Sequence, residues 1–327
     1  MKISQLTIQH KITAALADFS ILHRIFIGYS GGIDSHVLLS ICASLPEFKS
    51  KLTAVYIHHG LQKEADDWAI HCQKVATNLG VQFLEIRVDA LPNAGESPEE
   101  AARNARYNAF KNLIFENDIL LMAQHQEDQL ETVLLQLFRG SGLKGLAGMP
   151  EKMPFSKGFL VRPLLNVSKV EIQAYALENQ LVWIEDPSNQ SLIYDRNFLR
   201  HEIIPKLKQR WQSLDKTVAR TATHCAEAEN VISNIAQSKF ETVLNTENNT
   251  LNIPTLLTFS EVEQRFILRQ WFEFSGLKMP SHDFLQRILN EVIGAKIDRH
   301  PMLHKKGVTV SRKGKNLVIH SLRHDIR

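Results

Sequence analysis

Residues 25–39 read IFIGYSGGIDSHVLL. An apolar run, Ile25–Tyr29, meets a small-residue turn, Ser30-Gly31-Gly32, and then Ile33-Asp34-Ser35 opens a stretch with helical apolar spacing. Glycines let the backbone turn tightly and bring N–H groups close to a ligand. The helix that follows adds its positive N-terminus, so the turn is built for an anion. A Walker A loop would end in Gly-Lys-Ser/Thr after four spacer residues, and none is present. The polar groups here are serines and one acid. An acid beside phosphate is unfavourable unless a cation such as Mg²⁺ lies between them. The stretch therefore reads as a loop for a metal-bound pyrophosphate. The plainer alternative is a ligand-free strand-to-helix turn, which the strand–SGGxDS–helix order makes a minor one.

Outward from this loop, short apolar or β-branched runs recur at 52–57, 83–88 and 119–123. Helical patterns lie between them at Ile33–Cys42, Glu64–Leu79 and Pro98–Glu116, the last begun by Ser97-Pro98-Glu99-Glu100 and stopped at Asn117. Strands alternating with helices of this length predict a Rossmann-like, doubly wound, mostly parallel α/β sheet. Such a sheet binds ligands beyond the carboxyl ends of its strands, where the motifs below fall. The glycines at 140, 142, 145 and 148 read as loop over 139–158, and Pro205 as a bend or an end. From Ser213 one long helix is expected, then an amphipathic run at 261–274 and a hairpin, VTVSRKGKNLVIHS. The predicted organisation is a catalytic domain over 1–210, a linker helix over 211–240 and a smaller α+β domain over 241–327.

The balance of 38 Lys/Arg against 35 Asp/Glu conceals an asymmetry. From Lys296 to the end there are nine Lys/Arg and two Asp/Glu, a net of +7, which leaves −4 for the remainder of the +3 total. A basic module on a mildly acidic body suits an anionic partner such as nucleic acid, with a solvated face as the equal alternative. No apolar run reaches the length of a membrane span, and the N-terminus has no continuous apolar segment of a signal peptide, so a cytoplasmic location is expected. Cys42, Cys72 and Cys225 lie far apart without a CxxC, which argues against zinc, iron–sulfur and disulfide frameworks.

Four further segments carry polar groups suited to chemistry. His58 and His59 end the second strand, and the backbone of Ile57 suits an adenine edge. Arg103 and Arg106 lie one helical turn apart, and arginine favours bidentate phosphate contacts. His125, Glu127, Asp128 and Thr132 open the helix after the fourth strand, where a carboxylate would hold Mg²⁺ or an amine. Asn189 precedes Arg196 and Arg200, an i,i+4 pair with Asn197 and His201 beside it. Taken singly, each has a bland reading: surface histidines, an exposed arginine helix, a polar cap, a basic face. Their arrangement as a set is what the bland readings leave unexplained.

SGGIDS after the first strand resembles the signature of the PP-loop ATP pyrophosphatases. Joined by HHGL, EEAARNARY, QHQEDQLET, RGSGLKGLAGM and DPSNQSLIYDRNFLR over residues 25–204, it resembles the bacterial tRNA(Ile)-lysidine synthetase family. The resemblance implies ATP with Mg²⁺, free L-lysine and a tRNA(Ile) with a CAU anticodon, and a possible homodimer. It implies an ATP site at Ser30, Gly31, Gly32, Ile33, Asp34, Ser35, Ile57 and His58, and metal at Asp34 and Asp128. Catalytic roles would fall to Asp34, Asp128, Arg103, Arg106, Arg196 and Arg200, with His59, His125, Glu127, Asn189 and Asn197 as further site candidates. Gln124 departs from the family's usual histidine, and Glu127 stands where aspartate is common. Three rivals remain: a tRNA thiolase on the same loop, an amidotransferase-like synthetase, and a non-catalytic nucleotide- or tRNA-binding protein. The scattered cysteines argue against the first, and the lack of an evident glutaminase nucleophile against the second. The third has no use for the acids and arginines together.

Overall fold

The computed structural model describes residues 3–19, 23–60, 64–92, 97–296, 299–305 and 307–321. The chain divides into two units, Met1–Ala226 and Glu227–Arg327, the divide falling inside a 30-residue helix, Leu214–Val243. Leu61 of the HHGL motif, and Lys306, Arg323 and Arg327 of the basic segment, lie outside the described residues.

The first unit runs α1 (Ile3–Leu16), β1 (Ile25–Gly28), α2 (Ile33–Ser44), α3 (Pro46–Lys49), β2 (Leu52–His58), α4 (Ala65–Leu79), β3 (Gln82–Arg87), α5 (Pro98–Leu113), β4 (Ile119–Leu121), α6 (Gln126–Phe138), α7 (Leu143–Leu146), β5 (Lys152–Phe155), β6 (Gly158–Val161) and α8 (Lys169–Glu178). A 3₁₀ turn at Pro187–Gln190, α9 (Asp195–Phe198), a π-turn at Leu199–Ile203, α10 (Ile204–Arg210) and the start of α11 (Leu214–Val243) complete it. The sheet order is β3-β2-β1-β4-β6-β5, parallel except for β5 against β6. β1 is central and nearly all buried, as its unbroken apolar run requires. One face packs on α1, α2, α4 and α8 through residues such as Ile12, Leu38, Cys72 and Ile172. The other packs on α5 through Phe26, Phe110, Ile114 and Met122. The chain leaves β1 toward β2 on one side and returns to β4 on the other, so the PP-loop sits at the switch point.

Three local expectations change. The stretch 139–158 is more than loop: it holds α7 and the β5–β6 hairpin, turned at Ser156 with φ 54. Pro154 obscures that strand in the sequence, and β5 is the sheet edge, where proline is tolerated. Helix α5 ends at Leu113, because Ile114 turns extended and is 1% exposed against the sheet; Asn117 takes the left-handed turn afterwards at φ 62. Pro205 neither ends nor interrupts the run from Asp195. The π-turn before it widens the helix, and Pro205 then occupies the first turn of α10.

The second unit comprises the end of α11, β7 (Leu244–Asn245), β8 (Thr250–Asn252), α12 (Ile253–Leu256), α13 (Glu261–Phe274), α14 (His282–Arg287), a π-turn at Ile288–Ile293, β9 (Met302–Lys305), β10 (Val308–Lys313) and β11 (Asn316–Ser321). Its sheet, β7-β8-β11-β10-β9, is antiparallel. Trp271 is fully buried beneath it, its indole N–H donating to Asn249 Oδ1 at 2.9 Å. The β10–β11 hairpin and α13 fall where the sequence pattern places them.

Candidate active site

At the carboxyl ends of β1, β2 and β4 lies a cleft of about 450 Å³. The PP-loop forms its floor. Ser35 Oγ accepts from Ser30 N at 3.2 Å and donates to Gly32 O at 3.0 Å, pinning the loop on itself. Gly31 has φ +80, and a Cβ there would meet Ile184 Cδ1 at 2.6 Å and Cys72 Sγ at 2.9 Å, so the position requires glycine for internal reasons. Gly32 differs: its φ is −72 and the nearest atom to a Cβ is 3.5 Å away. Gly32 caps α2 without a side-chain hydrogen bond, which leaves the first-turn N–H groups for an anion. β2 runs on through Tyr56, Ile57 and His58 past Val55, its last partner on β1, and so forms one wall.

Asp34, in the first turn of α2, lines the cleft and accepts from Lys169 Nζ at 2.6 Å. Opposite, α6 begins with a capping box in which Asp128 Oδ2 accepts from His125 N at 3.0 Å. Asp128 Oδ1 takes Arg196 Nη2 at 3.1 Å and Arg200 Nη2 at 3.3 Å. Beneath it Glu131, 1% exposed, accepts from Arg196 Nε at 2.6 Å, Arg200 Nε at 2.6 Å and Arg200 Nη2 at 2.9 Å. Burial opposes charge on Asp128, but His125 and the two arginines outweigh it and hold its carboxyl below the ordinary value. His125 Nε2 lies 3.7 Å from Asp34 and 3.5 Å from Asp128, and Nδ1 lies 3.2 Å from Glu127 Oε2. Burial likewise opposes charge on His125. The Glu127 hydrogen bond and the carboxylates of Asp128 and Asp34 prevail, so its pKa is raised. Nδ1 faces both Glu127 Oε2 and Glu127 N, at 3.2 and 3.3 Å, so the ring's protonation decides which of the two it bonds. Glu127 also accepts from Lys169 N at 2.9 Å and does not line the cleft, whereas Asp128 does.

The remaining predicted residues divide by placement. Ser30, Gly32, Asp34, Ser35, Ile57, His59, Arg103, Arg106, Asp128, Asn189 and Arg196 line the cleft. Ile33, in the first turn of α2, lies between the lining residues Gly32 and Asp34. His58 does not line the cleft, although Tyr56 and Ile57 before it and His59 after it do. Its ring is buried, with Nδ1 accepting from Gly60 N and Nε2 3.2 Å from Asp66. Thr132 does not present its hydroxyl alongside Asp128; it donates back to Asp128 O at 2.7 Å. Asn197, 9% exposed, donates to Ser188 O and Ser191 O, both at 3.0 Å, and so clamps the wall that carries Asp186 and Asn189. Arg103 lies 4.9 Å over the Tyr107 ring. Arg106 forms no ion pair among the described residues, and its Nε is buried without a partner. His59 is pushed down to about 4, first by burial and then by Arg106, so its ring is neutral. Sequence reasoning passed over Glu131 and Lys169, and it noted Gln124 only as a departure from the family's usual histidine. Gln124 lines the cleft with Oε1 buried and unpartnered.

The donor set fits Mg²⁺ in the manner that ion prefers. Asp34 and Asp128 are hard oxygen donors on facing walls, and Mg²⁺ takes one or two carboxylates together with substrate phosphates and waters. Among the described residues no cluster of three His, Cys, Asp or Glu side chains is arranged to hold a metal without such a substrate.

A family model described as the PP-loop domain matches residues 4–207. A tRNA(Ile)-lysidine synthase from Histophilus somni (strain 2336) is 41% identical over 90% of this chain and 69% of its own length. The chain belongs to the tRNA(Ile)-lysidine synthase family. Members from Proteus mirabilis (strain HI4320) and Methylococcus capsulatus are 44% and 42% identical over 86% and 88% of the chain. The chain spans about two thirds of the length of these relatives: 69% for Histophilus somni, 64% for Proteus mirabilis and 66% for Methylococcus capsulatus. A second model, the TilS substrate binding domain, matches 251–318. A U34-tRNA thiolase from Methanococcus maripaludis shares the fold, with TM-score 0.58 at 17% identity over 68% of this chain and 80% of its own. The PP-loop domain implies use of ATP. Two of the three thiols do not suit sulfur chemistry. Cys42 and Cys72 are 0% exposed and pushed up to about 12 by burial. Among the described residues no helix is long and apolar enough to cross a membrane.

Proposed function

We propose that this chain ligates lysine to the 2-position of the wobble cytidine of a CAU-anticodon tRNA(Ile), converting ATP to AMP and pyrophosphate. The observation that carries the reading is one cleft in which the PP-loop, an Arg106 with no ion pair among the described residues and an ionised Asp128 face each other. The cytosine O2 attacks the α-phosphorus, the bond to the β-phosphate breaks and pyrophosphate leaves. The ε-amine of lysine then attacks C2, loses a proton, and AMP departs with O2. A carbonyl oxygen is a poor leaving group, and adenylation makes it a good one.

The first-turn N–H groups of α2 and Arg106 receive charge on the departing pyrophosphate. Asp34 and Asp128 would hold Mg²⁺, which supplies charge neutralisation for the phosphates when bound. A carboxylate held toward its ionised form is a weak base, so Asp128 serves to orient a cation rather than to take the proton. Arg196 and Arg200, fastened to Glu131, keep Asp128 in place. The target base must leave its stack to enter, which suits an anticodon loop.

The match to a substrate-binding domain and the basic composition beyond Lys296 support tRNA backbone contacts by the second unit. Arg312 is not among them: its Nη1 donates to Ile293 O at 3.0 Å and Ala295 O at 2.6 Å, closing the π-turn. A homodimer and a cytoplasmic setting, where tRNA, ATP and free lysine meet, belong to the same reading. The test is transfer of labelled lysine to tRNA(Ile) bearing CAU, with AMP and pyrophosphate as products. Formation of ADP and phosphate, or no transfer with authentic tRNA, refutes it.

A further inference from the structure

Lys169 stands at an unusual place for a lysine. It is the first residue of α8, beside the cap Ser168, where the helix dipole disfavours a cation. A residue that breaks a local rule without local compensation points to a tertiary task. The backbone shows what that task is. The capping box of Ser168 and Glu171 fixes the start of α8, and Lys169 N donates to Glu127 Oε2 at 2.9 Å. The main chain is thereby tied to α6, and the side chain crosses to α2, where Nζ meets Asp34 Oδ1 at 2.6 Å. Both side chains are about one-third exposed, 31% and 30%, so the pair opens to solvent, and Asp34 lines the cleft.

An Asp34 carboxylate that holds an ammonium at this distance presents less negative charge to a second cation. A divalent ion and Lys169 therefore compete for the same carboxylate, and the two like charges repel if both remain. We infer that Lys169 is the resident counter-ion of Asp34, yielding that carboxylate to the divalent cation and moving to an oxygen of the bound pyrophosphate group. Its flexible four-carbon stem and three rotatable donors suit such an exchange. Before nucleotide binds, the lysine holds Asp34 toward His125 and prevents the loop from collecting metal alone. With nucleotide bound, the same charge adds to the anion site. Toward the metal Lys169 acts through Asp34, as a positioning residue, and toward the pyrophosphate it acts as a direct contact. The inference rests on the proposed reading in which Asp34 takes a divalent cation together with ATP.

The experiment uses the full chain and Mn²⁺ as a paramagnetic probe, followed by electron paramagnetic resonance, together with calorimetric titration of magnesium pyrophosphate. Lys169→Met should bind Mn²⁺ without nucleotide on the order of ten-fold more tightly than the wild type, and magnesium pyrophosphate more weakly by a similar factor. Lys169→Arg, which keeps the charge, should stay near the wild type in both. Lys169→Gln, with a neutral polar end, should follow Lys169→Met and serves if that variant folds poorly. A lysine that only fastened α8 to α2 would lower the melting temperature and leave Mn²⁺ affinity unchanged. That result, alongside wild-type protein that takes up Mn²⁺ with ATP, overturns the inference alone. Wild-type protein that takes up no Mn²⁺ even with ATP overturns the metal reading of Asp34 and the inference with it.

Discussion

Replacing Glu131 by glutamine tests whether the two arginines are structural clamps of Asp128. Glu131 is 1% exposed and accepts three hydrogen bonds at 2.6, 2.6 and 2.9 Å from Arg196 and Arg200. Its partners are less buried, at 26% and 36% side-chain exposure. Removing one partner of a buried charge pair costs about 3–5 kcal/mol, because the other is left uncompensated. Glutamine keeps one acceptor and the arginines keep Asp128 and some water, so a loss of about 2–4 kcal/mol is expected. For a unit of this size, roughly 2–4 °C is lost per kcal/mol, which gives a fall of roughly 4–16 °C. Differential scanning calorimetry of the full chain reads it, with any separate transition of the second unit unchanged. Below that temperature both guanidiniums converge on Asp128, and lysine transfer should slow although the protein is folded. The double variant Glu131→Gln/Arg200→Gln should lose less than the sum of the single losses, by about 1 kcal/mol or more. A melting temperature within about 2 °C of the wild type, or strict additivity, refutes the clamp.

Two further outcomes follow from the buried groups. His59 has a folded-state pKa near 4 against an ordinary 6.5. Above 6.5 both states are neutral, and as pH falls the unfolded chain alone takes the proton, so stability drops by about 3 kcal/mol between 6.5 and 4 and then levels. Denaturant midpoints for His59→Gln should lack that part of the slope, and an unchanged slope contradicts the burial of the ring. Of the three free cysteines, Cys42 and Cys72 are 0% exposed with thiols pushed up to about 12, while Cys225 is only partly buried. Titration of the folded chain with a thiol reagent at pH 8 should therefore give about one fast equivalent, and a second at comparable rate would reopen a sulfur-transfer reading.

The sheet was legible because its order is written in local patterns. Continuous apolar strands, the SGGxDS turn and the capped start of α5 each specify their element without reference to distant residues. The β5–β6 hairpin was not legible, since Pro154 and the surrounding glycines read as loop until a sheet edge is there to accept them. The site divides along the same line. Asp34, Arg106 and Asp128 announce themselves by motif; Asp34 and Asp128 line the cleft because they open the helices after β1 and β4, and Arg106 reaches it from the middle of α5. His58 shows the limit of motif: it shares the HHGL segment with His59, yet its ring is buried beside Gly60 N and Asp66, outside the cleft that His59 lines. Glu131 lay three residues from Asp128, within reach of helical spacing, but its role depends on two arginines about 65 residues on, which only the fold brings near. Lys169 had no motif at all. Its single signal was a cation at a helix start, a small local penalty of about 0.3–1 kcal/mol. Residues of this kind, whose meaning is set by a partner on another element, are the ones through which a PP-loop scaffold acquires its own chemistry. The glycine turn alone specifies an anion. On the proposed reading, the side chains that reach Asp34 and Asp128 from α8, α9 and the π-turn set the charge that the accompanying cation meets.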